Sequence, residues 1–338
     1  MVLMISTPAR LMGTALTSVA LLLTSACGDG EGGAGDDGLQ VLAGFYPLQW
    51  AAERVGGDRV SVSALTPPGA EPHDLELTPR AVASIEDADL LVYLAGFQPA
   101  LDQAAEAAGG DQAWDVGSAA DLLSGEGHHH DHDDEHGDEH GHEDDEHADE
   151  HEEEDDGHGH ENSGDAAVDP HFWLDPTRLA DVGDALADRL AEEDPDGAGT
   201  YAANAAALRA DLEQLDGELS AGLQNCAVDT VVTAHDAFGY LADRYGLDVV
   251  GISGLSPSQE PQPAQLAEIS RLVADRGVTT VYTETLVDPA VAETVAEEAG
   301  VRTAVLDPLE GLTDRSAGDD YLEVMRANLA TLQQGQSC

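Results

Sequence analysis

Apolar and polar positions along this chain follow two rhythms, one of short unbroken runs and one of helical spacing. From Val41 to Ala64 short apolar segments alternate with turns, and Thr78 to Ala88 has helical spacing. The run DLLVYLAG, Asp89 to Gly96, then reads as a strand buried on both faces. This predicts an α/β lobe. Further on, Thr177 to Glu193 reads as a helix that Pro195 and Gly197 terminate. Tyr201 to Leu223 is an Ala- and Leu-rich stretch of about six turns at 3.6 residues per turn, long enough for a stiff connector. After Cys226 the pattern restarts as TVVTAH (strand), FGYLADRYG (helix), DVVGIS (strand), AQLAEISRLVADRG (helix), VTTVYTE (strand), PAVAETVAEEAG (helix) and VRTAVLDP (strand). Strands alternating with helices predict a parallel sheet covered on both faces, hence a second α/β lobe.

One segment breaks both rhythms. Between Glu126 and Glu161 the chain is almost wholly His, Asp, Glu and Gly, with Ala148 its one apolar residue. It lacks the apolar surface to fold by burial. The expected organisation is a first lobe over 39–200 carrying this insert at 126–165, a linker helix over 201–223 and a second lobe over 224–338.

The N-terminus reads as an export signal over 1–26. Arg10 supplies a positive charge, and the apolar run Leu11 to Leu23 is short for a bilayer span. The run ends in LTSAC, which resembles the bacterial lipoprotein box and makes Cys27 the expected site of lipidation. Gly-rich, acidic residues follow, so 27–38 is read as a flexible tether. An extracytoplasmic protein anchored to the cell membrane by lipid is the expectation. With Cys27 so assigned, Cys226 and Cys338 remain, and outside the cytoplasm they are expected to pair. That bridge would close a long loop and pin the C-terminus beside the start of a core strand.

Composition narrows the function classes. The 338 residues are 42% hydrophobic, enough for two ordinary cores. Acidic residues number 68 against 13 basic ones, all Arg, for a formal net charge of −55. Such a surface repels nucleic acid. It fits either a salt-rich habitat or a role in concentrating cations.

The candidate chemistry is histidine. Of 14 His, eleven lie in the acidic tract: His128, His129, His130, His132, His136, His140, His142, His147, His151, His158 and His160. Imidazoles beside carboxylates bind several Zn²⁺ weakly, so the tract is expected to gather zinc or to sense its excess. The other three, His73, His171 and His235, each stand in a loop after an apolar segment. The carboxyl ends of strands line the ligand crevice of open α/β sheets, so the three can converge between two lobes. Asp307 occupies the equivalent loop after TAVL. Three imidazoles and one carboxylate complete a tetrahedral zinc shell.

Four motifs now make a resemblance specific: PHDLELTP around His73, DPHFWLDP around His171, TAHDAFGYLADRYG around His235 and VLDPLE around Asp307. In order and spacing they resemble the substrate-binding proteins of bacterial zinc and manganese ABC transporters, from about Leu39 onward, with the His-rich tract as an insert. The resemblance implies two pseudo-symmetric lobes joined by one long rigid helix, with the metal in the cleft between them. His73 and His171 would come from the first lobe, His235 and Asp307 from the second. Some zinc members take a Glu near the first His, or water, as fourth ligand, so Glu71 or solvent is an alternative to Asp307. Manganese-type members carry Glu where this chain has His235, which argues for zinc as cargo. GFQPAL, after the first-lobe strand, departs from the family's acidic and Trp positions. The implied partners are a membrane permease with its ATPase, and a monomer is expected.

A zinc hydrolase is the rival of a different class, and a surface zinc buffer or adhesin is a second. No HExxH stands in the chain. Asp236 and Glu284 are read as carboxylates around the ligands, Asp236 orienting an imidazole and Glu284 lining the cleft. Carriage without catalysis is therefore the expectation.

Overall fold

The computed structural model describes residues 38–123 and 168–338. The expected signal peptide, Cys27, nearly all of the tether and the His-rich insert lie outside the described residues.

Two four-stranded parallel sheets organise the described chain. The first half runs β1 (Leu39–Ala43), α1 (Tyr46–Gly56), β2 (Val60–Ala64), α2 (Pro79–Asp87), β3 (Leu90–Tyr93), α3 (Pro99–Ala108), β4 (Ala113–Asp115), α4 (Gly117–Ala120) and α5 (Pro176–Glu193). After α6 (Ala198–Leu223) come β5 (Thr230–Thr233), α7 (Gly239–Tyr245), β6 (Asp248–Gly251), α8 (Pro263–Asp275), β7 (Thr280–Thr283), α9 (Ala290–Ala299), β8 (Arg302–Val305) and α10 (Tyr321–Gly335). The strand orders are β2-β1-β3-β4 and β6-β5-β7-β8, the same arrangement twice. Each pairing is parallel and in step, for example Val41 with Leu90 and Val232 with Val281.

Local sequence explains the boundaries. Thr78 accepts the Ala81 amide and Asp175 the Thr177 amide, and a proline opens each helix where its missing N–H costs nothing. The α7 and α9 helices stop at Gly246 and Gly300, whose φ of 70° and 72° suits glycine. Central strands β5 and β7 are buried throughout, while edge strand β8 is largely exposed. The stretch read as apolar segments and turns contains α1, with Leu48, Trp50, Ala51, Ala52 and Val55 buried at helical spacing.

The α6 helix starts three residues earlier than periodicity predicts, because Ala198, Gly199 and Thr200 extend it without adding to its apolar stripe. That stripe, Tyr201, Ala205, Leu208, Leu212, Leu215, Leu219 and Leu223, advances by three or four residues. It buries one face against α1 and α5 on one side and α10 and α7 on the other. Each buried Leu contributes about 1.5–3 kcal/mol. One apolar cluster runs through both halves, from Phe45 and Trp173 to Tyr321 and Met325. The halves are thus fused along α6 and meet across the carboxyl ends of their strands. Among the described residues no helix is long and apolar enough to cross a membrane.

Candidate metal centre

Four loops converge between the halves, each fixed by local bonds. After β2, the Glu71 carboxylate accepts the amides of His73 (3.1 Å) and Asp74 (3.2 Å). Buried Gln98 donates to the Pro72 carbonyl and to Thr66, and Phe97 meets the His73 ring edge to face. Before α5, Asp169 Oδ1 accepts the His171 amide (2.9 Å) and lies 2.8 Å from His171 Nδ1. After β5, Glu284 takes the His235 amide (3.1 Å) and holds Nδ1 at 2.7–2.8 Å. Glu284 directly follows β7, the neighbour of β5, so sheet order brings this pair together.

The fourth loop, after β8, is the most constrained. Asn328 of α10 accepts the Asp307 amide and donates to its carbonyl. Asp307 Oδ1 accepts the Leu309 amide, and Leu309 takes a left-handed φ of 59°, uncommon outside glycine. The Trp173 indole, two residues beyond His171, donates to the Pro308 carbonyl at 2.8 Å. This turn drives Glu310 into the cleft.

The donor atoms match zinc geometry. His73 Nε2 lies 3.3 Å from His171 Nε2 and 3.0 Å from Glu310 Oε1. Glu310 Oε1 is 3.1 Å from His171 Nε2 and 3.3 Å from His235 Nε2, and the latter two nitrogens are 3.4 Å apart. A tetrahedron with bonds of about 2.0–2.1 Å has edges of about 3.3 Å. Glu310, His171 and His235 are buried, and His73 nearly so. Glu310 Oε2 is buried without a hydrogen-bond partner, a lone pair left for a cation. With Asp169 and Glu284 on their Nδ1 atoms, His171 and His235 turn Nε2 toward the centre of the cluster, the atom each could offer a metal.

Charge binds the cluster together. Burial disfavours charge on His235, but Glu284 and Glu310 outweigh it and lift its pKa well above the ordinary value. Burial is likewise outweighed at His171, by Asp169 and Glu310. Burial would push Glu310 up, yet His235, His171 and His73 hold it well below the usual carboxylate range. At His73 burial prevails and lowers the pKa.

The raised His171 and His235 values stabilise the metal-free fold fully below the ordinary His value of about 6.5, and that contribution is lost as pH rises through the raised values. Zinc requires these rings neutral. Zinc binding near neutral pH is therefore expected to release protons, giving a calorimetric heat that depends on the buffer's ionisation enthalpy. The same heat in phosphate and Tris would contradict this.

The three histidines expected from sequence are brought together, but the carboxylate beside them is Glu310, not Asp307. Asp307 spends its oxygens on the Leu309 amide and the Ser316 hydroxyl, shaping the turn that delivers Glu310. Glu71 stands outside the cluster too. It caps the His73 loop, and burial, reinforced by the Glu310 charge, pushes it up to about 7. Glu284, expected to line the cleft, holds His235 Nδ1, and the Asp236 amide donates to the Gly254 carbonyl. The matching role of Asp169 was missed, although Asp-Pro-His places it two residues before His171. Glu310 was missed although it closes the quoted VLDPLE. Cys226 and Cys338 form the expected disulfide. The eleven tract histidines and Cys27 lie outside the described residues.

The sequence profile of ZnuA, described as zinc-uptake complex component A, periplasmic, matches residues 41–335. The zinc-binding lipoprotein AdcA of Streptococcus pneumoniae is 36% identical over 325 residues, covering 94% of this chain and 60% of AdcA. The chain thus spans about 60% of the length of that relative. The high-affinity zinc uptake system protein ZnuA of Bacillus subtilis is 34% identical over 330 residues, covering 95% of this chain and 96% of its own. Among solved structures, the Zn(II)-bound ZnuA-like domain of Streptococcus pneumoniae AdcA superposes with a TM-score of 0.68 and 32% identity, over 89% of this chain and all of that domain. The laminin-binding protein Lmb of Streptococcus agalactiae, described as a bifunctional adhesin and metal transporter, gives 0.71 and 30% identity, over 88% of this chain and all of its own.

Proposed function

The chain belongs to the ZnuA family of zinc-uptake components, and from this premise we propose that it is an extracytoplasmic carrier that captures Zn²⁺ between its two halves for a membrane ABC permease. The observation that carries this reading is the buried set of His73, His171, His235 and Glu310, with five of its six donor–donor separations at 3.0–3.4 Å, close to the edge of a zinc-sized tetrahedron. Three imidazoles with one carboxylate suit zinc better than manganese, which prefers oxygen donors.

The same geometry favours carriage over hydrolysis. A hydrolytic zinc site keeps an open position for water, whereas Glu310 fills the fourth corner here and Glu284 is committed to His235. Zinc is the cargo. Cys27 anchors the chain by lipid, the partners are the permease and its ATPase, and the histidine tract gathers zinc near the cage.

Cells lacking the chain are expected to lose most uptake of radioactive zinc from zinc-poor medium. Wild-type protein restores it and His235→Ala does not. Restoration by His235→Ala would overturn the proposal. Cys27→Ser is expected to leave the membrane fraction while its zinc site remains intact.

A further inference from the structure

One buried hydroxyl links both halves to the metal cage. Tyr240, in the first turn of α7, is about 1% exposed. Its hydroxyl donates to the Asp169 carbonyl at 2.8 Å and accepts the Leu123 amide at 2.8 Å. Leu123 and Asp169 lie on either side of residues 124–168, the stretch that carries eleven histidines, and both bond the same hydroxyl. Arg178 of α5 stacks over the ring at 5.1 Å and donates to the carbonyls of Ala120 (3.0 Å) and Asp121.

The bond matters because of what else Asp169 does. Its Oδ1 accepts the His171 amide and faces His171 Nδ1, so any shift of its backbone turns the imidazole. Gly239 guards the other side: a Cβ there would stand 2.7 Å from Asp169 Oδ2. The α7 helix begins four residues after His235. A rigid path therefore runs from the His235 loop through Gly239 and Tyr240 to Asp169 and His171, and it bears on the 3.4 Å separation of the two Nε2 atoms. Burial pushes the phenol's pKa up, which keeps the O–H intact as a donor.

We propose that Tyr240 is a positioning residue of the zinc cage, acting on His171 through Asp169 across the junction of the two halves. The inference rests on the zinc-carrier reading above. Groups that bond a metal-ligating imidazole directly, as Asp169 would, are worth about 10–100-fold in metal affinity, and Tyr240 acts one step behind, so the lower end of that range is expected.

The test is a double-mutant cycle on the full chain, reading affinity for the tightest zinc by chelator competition. Tyr240→Phe is expected to weaken it by about 10-fold, and by less than about 2-fold when Asp169 is already Asn. The visible spectrum of Co²⁺ in the same site should change with Tyr240→Phe. Tyr245→Phe deletes a neighbouring α7 hydroxyl bonded to Asp216, and it should leave affinity and spectrum alone. Should Tyr240→Phe not fold, Gly239→Ala displaces the same carboxylate and carries the same expectation. Wild-type affinity in Tyr240→Phe, or an equal loss in the Asp169→Asn background, would overturn the inference. Absence of tight zinc in the wild type would overturn the carrier reading and this inference with it.

Discussion

Glu310→Gln is expected to weaken the tightest zinc by more than about 100-fold, beyond the range typical for a group in the second layer. Its carboxylate is the one anion among the four donors, within 3.0–3.3 Å of all three Nε2 atoms. An amide offers a weaker donor and no charge to balance the cation. Asp307→Asn is the informative contrast. It weakens the bonds to the Leu309 amide and Ser316 hydroxyl, so it should lower stability by about 1–2 kcal/mol. Zinc affinity should then fall by no more than about tenfold, since the donors themselves survive. Chelator competition on both variants decides. A larger loss for Asp307→Asn than for Glu310→Gln would return the ligand role to Asp307.

The second large effect concerns the fold. The Cys226–Cys338 bridge joins residues 112 apart in sequence and encloses nearly the whole second half. In the chain-entropy view, a loop of that length restricts the unfolded chain enough to stabilise the native state by about 5 kcal/mol. The C-terminus is also held without it: the Gln336 carbonyl accepts the Ala227 and Val228 amides, and its side chain bonds Thr230 and Tyr282. The double substitution Cys226→Ser with Cys338→Ser should thus fold and bind zinc normally, with a much lower urea midpoint. An unchanged midpoint would show that the bridge constrains nothing.

How much of this was legible beforehand depends on the kind of signal. The second sheet was readable strand by strand, because its central strands, TVVT and TVYT, are short β-branched and aromatic runs between helices of clear period. His73 and His235 were readable because the loops after β2 and β5 open at one crevice, whereas His171 leads into α5 and was readable from its DPHFWLDP motif. Glu310 was not. Strand-end reasoning selects the first carboxylate after β8, Asp307, whereas the chain turns at Leu309 through a left-handed conformation that no hydrophobic period reports. Asp169 escaped for a related reason, and Glu284, expected beside the ligands, could not be matched to His235: each bonds an imidazole Nδ1, and such pairings depend on loop shape and strand adjacency. The α1 helix was blurred because its apolar face sits between two short strands and closes on Gly56 and Gly57.

Zinc titration of the full chain with chelator competition, repeated with excess manganese and with His235→Ala, decides whether the buried cage carries zinc. One equivalent is expected to bind far more tightly than the rest, to be retained against manganese and to be lost in His235→Ala. A tight equivalent that manganese displaces, or that survives His235→Ala, would contradict it.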